Sequence, residues 1–285
     1  MSVVNTNVNA SVAQNALVKN ERQMNTAMER LSTGKRINTA ADDAAGLAIS
    51  SRMTSQIRGL ETGIRNAGDA ISMISVADGA LIEVGNMLQR MRELALQAGT
   101  GTTTSDDRTY LNSEYTNLIA EIERIANNTQ WNGKDILNQA SSSSSTFAYQ
   151  VGANGGQTVS VNFGAIDQTS GSAFASFSGG ASAINFTNAT AAAGASAVLT
   201  NIDRAITELN EQRATFGAAV NQLTYAMDNL SNVKVNSEAA RSRIEDTDYA
   251  AETSELARTQ IIHQAGLAML AQANQVTATV LALLK

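Results

Sequence analysis

Apolar residues recur every seven positions at both ends of this chain, and no proline interrupts either pattern. A seven-residue repeat places one narrow apolar stripe on an α-helix, and another helix must cover that stripe. Both ends are therefore predicted to be helices that pack against helical partners. The amino-terminal repeat comprises Val3, Ala10, Leu17, Met24 and Leu31. The carboxyl-terminal repeat comprises Ile262, Met269, Val276 and Leu283, with Gly266, Ala273 and Val280 at the alternate positions.

Further helical stripes lie between the two terminal repeats. Apolar residues at steps of three and four over 49–95 predict a helix of roughly 75 Å, since an α-helix rises 1.5 Å per residue. Asp42 and Asp43 precede it as predicted N-caps, and Ser105 with Asp106 precede a shorter stripe over 111–125. Helical periodicity returns over 199–230. These stripes, in a chain with only 4% aromatic residues, favour an elongated rod.

Residues 138–195 differ from the rest of the chain because they are rich in Ser, Gly and Ala and contain one charged residue, Asp167. Apolar and polar residues alternate on both sides of Asn154-Gly155-Gly156, which predicts a β-hairpin over about 147–163. The remainder is predicted to be a short variable segment. The predicted fold class is mainly α: an elongated helical rod or coiled coil with a small β-hairpin region and paired N- and C-terminal segments.

Composition excludes several classes of function. The chain has no cysteine, so disulfides and thiolate metal sites are excluded. His263 is the single histidine, which rules out an HExxH zinc site and leaves a packing or surface role. A net charge of −6 argues against nucleic-acid binding. The sequence contains no apolar run of about 20 residues, so we predict no membrane span. We find no catalytic, cofactor or metal constellation, so we do not expect an enzyme.

One exposed helical segment is a candidate binding surface. Met91 belongs to the buried stripe, whereas Arg90, Glu93 and Gln97 face outward at helical spacing. Periodicity alone favours a charged helix surface stabilised by pairs three and four residues apart.

Three longer motifs connect the chain with a known family. They are residues 31–50 (LSTGKRINTAADDAAGLAIS), 241–249 (RSRIEDTDY) and 270–276 (LAQANQV). Together they closely resemble bacterial flagellin, the subunit of the flagellar filament, and the likeness covers roughly 1–165 and 195–285. The segment 150–156 (QVGANGG) also resembles the hairpin of that family.

The resemblance implies a layout. Residues 1–43 and 241–285 would form an inner coiled-coil polymerisation domain, and 44–240 an outer helical rod domain with the β-hairpin. The outermost domains of longer family members would be missing, which makes this a short form. The subunit would be exported unfolded through the flagellar type III apparatus to the extracellular flagellum. Its ends would fold on polymerisation.

The resemblance also implies partners. These are other copies of the chain in a helical homopolymer, an export chaperone at the C-terminal helix, hook-associated and cap proteins, and Toll-like receptor 5. The residues that match the receptor-recognition surface are Gln89, Arg90, Glu93, Leu94 and Gln97, with Glu114 on the following helix. The same patch lies in a subunit contact of the family's filament, so polymerisation explains it equally.

Two other functions remain open at this point. A hook–filament junction protein shares flagellin-like ends, although the motif around Asn274-Gln275-Val276 favours flagellin. A coiled-coil signalling rod, such as a chemoreceptor cytoplasmic domain, would need an upstream membrane span or a hairpin tip between equal antiparallel helices.

Overall fold

The computed structural model describes residues 7–138, 146–164 and 191–282, and it describes their side chains except at 191–195 and 276–282. These residues form five helices and two pairs of short strands, which confirms the predicted mainly α class. The helices are α1 (Val8–Thr33), α2 (Ala44–Ala98), α3 (Ser105–Asn128), α4 (Ala191–Glu245) and α5 (Tyr249–Ala282). The strands are β1 (Gln130–Trp131), β2 (Lys134–Asp135), β3 (Thr146–Gln150) and β4 (Thr158–Asn162).

Local side-chain hydrogen bonds define where the first two helices begin. The Asn7 side chain accepts a hydrogen bond from the Ala10 amide at 3.0 Å and caps α1. The Asp43 carboxylate accepts one from the Gly46 amide at 2.8 Å and caps α2 as predicted. Asp42 instead accepts hydrogen bonds from the Asn38 and Thr39 amides of the preceding loop and does not cap the helix. α1 ends at Gly34, whose φ of 72° suits a residue without a side chain.

The predicted start of α3 is wrong by one residue. Thr104 is the N-cap, because its backbone is extended and its hydroxyl accepts the Asp107 amide hydrogen. The Asp107 carboxylate accepts hydrogen bonds from the hydroxyl and amide of Thr104 in return, and these hold its pKa below the usual value. Ser105 is therefore the first helical residue rather than the cap.

The chain divides into two compact units, and each is described by itself. Unit 1 comprises Met1–Ile57 and Val235–Lys285, and unit 2 comprises Arg58–Lys234. In unit 1, α1 packs against α5. Asn7 Nδ2 donates to the Ala273 carbonyl at 3.1 Å, and Asn20 Nδ2 donates to the Thr259 carbonyl at 2.7 Å. Since the residue number falls on one helix as it rises on the other, the pair is antiparallel.

Unit 2 has one hydrophobic core, built from α2, α3, α4 and the hairpin. Its large fully buried side chains are Ile74, Leu81, Leu88, Met91, Leu94, Tyr115, Ile136, Leu137, Phe163, Ile202, Phe216 and Leu223. The Phe163 ring meets the Phe147 ring edge-on with centroids 5.4 Å apart, and it contacts the Phe216 ring at 5.2 Å. Most of the predicted α2 stripe is buried, but Ile49, at its start in unit 1, is exposed.

The predicted hairpin is confirmed, with Thr146 opposite Asn162 and Gln150 opposite Thr158. Its end lies against α2, where Asn66 Nδ2 donates to the Gln150 carbonyl at 2.9 Å. A Cβ on Gly63 would lie 2.8 Å from the Val151 carbonyl oxygen, so glycine permits this close approach.

Two features of unit 2 concern expectations from the sequence. Asn132 and Gly133, with φ of 50° and 75°, form the turn that joins β1 and β2. The predicted variable segment lies largely outside the described residues, at 139–145 and 165–190.

Among the described helices, α2 alone is long and apolar enough to cross a membrane by length and composition. Many of its apolar residues from Ala67 to Ala98 belong to the core of unit 2, whereas Val76, Ile82 and Leu96 are exposed.

Candidate interaction surfaces

The faces by which α1 and α5 meet are lined mainly by small and medium-sized side chains. The α1 residues on this face are Ala10, Ala13, Leu17, Asn20, Met24, Ala27 and Leu31, all partly or fully buried. The α5 residues are Thr259, His263, Gly266, Leu270 and Ala273. Leu17 packs so closely on Gly266 that an added Cβ would lie 3.1 Å from Leu17 Cδ1. The four described members of the predicted amino-terminal repeat, from Ala10 to Leu31, therefore lie on this face, as do Gly266 and Ala273.

Two α5 residues of the predicted repeat lie outside the face that meets α1. Ile262 is 41% exposed and Met269 is 66% exposed, so neither lies on the face that meets α1. The reason is rotational: each residue of an α-helix turns about 100°, and His263 already points at α1. Ile262 and Met269 instead form an apolar line beside the helix–helix contact.

The other predicted polymerisation residues fall where the structure gives no side chains. Val276 and Val280 lie in α5 within the stretch whose side chains are not described, and Val3 and Leu283 lie outside the described residues. The role of the whole set in polymerisation stays a prediction.

Several further large apolar side chains of the two terminal helices face solvent. On α1 and α5 they are Val8, Val12, Val18, Met28, Ile261 and Leu267. Exposed apolar side chains on both members of a helix pair are typical of surfaces that other proteins cover. The pair thus has unsatisfied apolar surface beyond its own contact face.

Polar groups are buried in the middle of the same pair. Asn20 and Thr259 are almost completely buried, and Asn20 Oδ1 and His263 Nδ1 have no hydrogen-bond partner within the described ranges. A buried polar residue in a helix seam lowers stability but favours one register, because other registers leave its donor unpaired. Sequence reasoning missed Asn20, although its position three residues after Leu17 indicated the seam.

The motifs at 31–50 and 241–249 meet in unit 1. The Arg36 amide donates to the Glu245 carbonyl at 2.6 Å, and the Thr247 amide donates to the Gly34 carbonyl at 3.0 Å. The Glu245 carboxylate pairs with the Lys35 ammonium and accepts a hydrogen bond from the Ser50 hydroxyl. These contacts, that of Lys35 above all, lower the pKa of Glu245. The two motifs therefore hold together the loops that flank α1 and α5.

The candidate receptor surface lies on α2 and α3 of unit 2. Arg90 Nε donates to Glu114 Oε1 at 2.9 Å, and Arg90 Nη1 donates to Glu93 Oε2 at 3.0 Å. These bonds, first that with Glu114, raise the pKa of Arg90. Gln89 and Gln97 are also exposed on this part of α2. The structure thus brings five of the six predicted residues together on one surface.

Leu94 is the exception, because it is 0% exposed and belongs to the core of unit 2. It lies among the apolar residues beneath the surface, so the prediction that it contacts a partner is wrong for this conformation. Its physical role is to hold α2 in place under Arg90 and Glu93. Within the described residues, no cluster of three or more His, Asp or Glu side chains could hold a metal ion.

Comparisons with known proteins match both ends of the chain to one family. The bacterial flagellin N-terminal helical region matches residues 4–142, and the C-terminal helical region matches residues 199–284. A flagellin of Halalkalibacterium halodurans is 43% identical over 283 residues, covering 99% of this chain and 100% of that protein. A flagellin of Bacillus subtilis is 43% identical over 305 residues, covering 99% of each.

More distant relatives extend the likeness. The flagellar filament 33 kDa core protein of Treponema phagedenis is 38% identical over 290 residues, covering 99% of this chain and 100% of that protein. A structure of a hook-associated protein from Vibrio parahaemolyticus shares the fold with a TM-score of 0.59, at 18% identity over 72% of this chain and 100% of that one. Because the terminal family regions cover most of the sequence and full-length relatives match throughout, this chain belongs to the bacterial flagellin family.

Proposed function

We propose that this chain is a structural subunit that self-assembles into the filament of a bacterial flagellum, outside the cell, and has no catalytic role. The observation behind this proposal is the full-length similarity to flagellins and to a flagellar filament core protein. The uncovered apolar residues on the α1–α5 pair agree with a chain that has further copies as partners. The junction-protein and signalling-rod alternatives have no comparable support.

Residues 1–43 and 241–285 are proposed as the inner polymerisation domain, and 44–240 as the outer domain. The polymerisation contacts are assigned to the heptad residues of both ends. Ile262 and Met269 are the best supported of these, because their side chains are apolar and uncovered in the single chain. Unfolded export, a chaperone on the C-terminal helix, and contacts with hook-associated and cap proteins belong to the same proposal.

Deletion of residues 270–285 tests the assembly role. We expect the truncated chain to form no filaments on added seeds, while unit 2 unfolds at the same temperature as in the full chain. Met269→Gln is a finer test that removes apolar surface, and Gln260→Ala on the same helix is its control. Normal filaments from the truncated chain, seen by electron microscopy, would contradict the proposal.

Recognition by Toll-like receptor 5 is proposed for the surface formed by Gln89, Arg90, Glu93, Gln97 and Glu114. Arg90→Ala is expected to lower receptor signalling, because it removes the cation that holds Glu93 and Glu114 in place. Monomeric protein should be used, so that an assembly defect does not alter the dose.

Arg92→Ala is the matched control for that experiment. Arg92 lies on the same helix with similar exposure, but it pairs with Asp203 of α4 at 2.8 Å instead. Unchanged signalling by Arg90→Ala, or an equal loss in both variants, would refute the assignment to this surface.

A further inference from the structure

A groove of about 660 Å³ runs along one side of the α1–α5 pair in unit 1. It is lined by Lys19, Arg22, Gln23, Thr26, Arg30, Glu252 and Glu255. Apolar residues continue the same side toward the other end of the pair, because Val12 lies seven residues before Lys19 and Ile262 lies seven residues after Glu255. The side therefore has a polar part and an apolar part, both open in the single chain.

Positive charge in this groove is incompletely neutralised. The Lys19 and Arg22 side chains have no ion pair among the residues that the structure describes, whereas Glu255 is already paired with Arg258. Arg30 Nη1 lies 3.7 Å from Glu252 Oε1, and Arg30 Nε is buried without an acceptor. Two exposed cations and one unpaired buried N–H thus face the same space, and all three favour a carboxylate.

The matching negative charge is on the same helix. Glu21 follows Lys19 by two residues, which corresponds to about 200° of rotation, so the two side chains point to opposite sides of α1. The Glu21 carboxylate has no partner among the described residues of unit 1. Each copy therefore presents an unpaired cationic groove on one side of α1 and an unpaired carboxylate on the other.

We propose that the groove binds Glu21 of a second copy of this chain. Such a contact joins two different surfaces, so each added copy presents a new groove or a new carboxylate and growth continues. A protein helix suits the site better than a small anion, because the apolar continuation at Val12 and Ile262 needs apolar side chains to cover it. The inference rests on the proposed filament function. It adds which side of the α1–α5 pair makes one lateral contact between copies, and which opposite charges, Lys19 and Glu21, meet there.

Charge exchange in the full-length chain tests this contact. Lys19→Glu places two carboxylates together, and Glu21→Lys places cations together, so each single variant is expected to elongate seeds at least about tenfold more slowly than wild type. The double variant Lys19→Glu with Glu21→Lys restores opposite charges and is expected to recover most of the rate. Lys19→Arg keeps the charge and serves as the control. Thermal unfolding of unit 2, which contains neither residue, checks that the rest of each variant chain is folded.

Each outcome decides between the two proposals. If wild type elongates and Lys19→Glu elongates equally well, the contact is refuted while the filament function stands. If the single variants are slow and the double variant is no faster than they are, the groove has a different occupant and the contact is again refuted. If wild type fails to elongate any seed, the filament function itself is refuted, and the contact with it.

Discussion

Two Gly→Ala substitutions on α2 are expected to change stability in opposite directions. At Gly63 the new methyl group would lie 2.8 Å from the Val151 carbonyl oxygen and 2.9 Å from its carbonyl carbon. Both are backbone atoms of the hairpin end and cannot rotate away. At Gly79, in the same helix, an added Cβ meets nothing within 4 Å. Both glycines belong to unit 2, so one unfolding transition reports on both.

The magnitudes follow from two opposing effects. Alanine stabilises a helix interior by about 0.5–1 kcal/mol relative to glycine, because glycine loses more backbone freedom on folding. Overpacking costs about 1–3 kcal/mol when neighbouring atoms must move. Gly63→Ala should therefore lower the unfolding free energy by roughly 1–2 kcal/mol, and Gly79→Ala should raise it by about 0.5–1 kcal/mol.

Calorimetry of the full-length monomer measures the difference. For a unit of this size, 1 kcal/mol corresponds to a shift of about 2–4 °C in the unfolding midpoint. Gly63→Ala should thus melt several degrees below wild type and Gly79→Ala slightly above it. A Gly63→Ala protein as stable as Gly79→Ala would refute the packing of the hairpin end against α2, because helix propensity would then be the only effect present.

Three further substitutions test other parts of the structure. Glu245→Gln should destabilise unit 1 above about pH 4.3, the unfolded pKa of glutamate. Contact with Lys35 and Ser50 lowers the folded pKa of Glu245, so the difference in unfolding free energy between wild type and variant should shrink as the pH falls below about 4.3. Chemical unfolding at a series of pH values measures this difference. Leu94→Ala should lower the unfolding free energy of unit 2 by about 2–5 kcal/mol in urea, since this side chain is completely buried. Asn20→Leu should raise the dissociation temperature of filaments, because it replaces a buried polar group by an apolar one, and electron microscopy should show less regular filaments because other registers become accessible.

The terminal repeats show how far a heptad pattern can be interpreted. On α1 the pattern identified the face that meets α5, because Leu17, Met24 and Leu31 are the larger apolar residues there. On α5, Leu270 lies on the contact face with Gly266 and Ala273, whereas Ile262 and Met269 lie outside it. Periodicity identifies an apolar line but not its partner. In a chain that assembles, the most apolar line can be reserved for another copy.

The candidate receptor surface shows a different limit of sequence comparison. Similarity to a family motif assigns the same role to every matching residue of this chain. It does not separate side chains that contact the partner from buried side chains that support the helix. Leu94 was transferred as a contact, although it lies three residues after Met91 on the same buried stripe. Its burial was therefore predictable from spacing. The pairing of Arg90 with Glu114 was not, because these residues lie on separate helices whose relative position depends on the whole core.

The distribution of side chains on the terminal helices has an energetic consequence for assembly. Inside the pair, Gly266 and Asn20 interrupt the apolar contact made by Leu17, Met24, Leu31 and Leu270, and the Asn20 side-chain carbonyl oxygen has no hydrogen-bond partner among the described residues. Outside it, Val12, Ile262 and Met269 remain 63%, 41% and 66% exposed, so each can still gain part of the about 1.5–3 kcal/mol that complete burial contributes. This further favourable contribution becomes available only when other copies cover the outer surface. We infer that neighbouring copies would add to the stability of α1 and α5, so that the ordering of these helices and the addition of a subunit would be thermodynamically coupled.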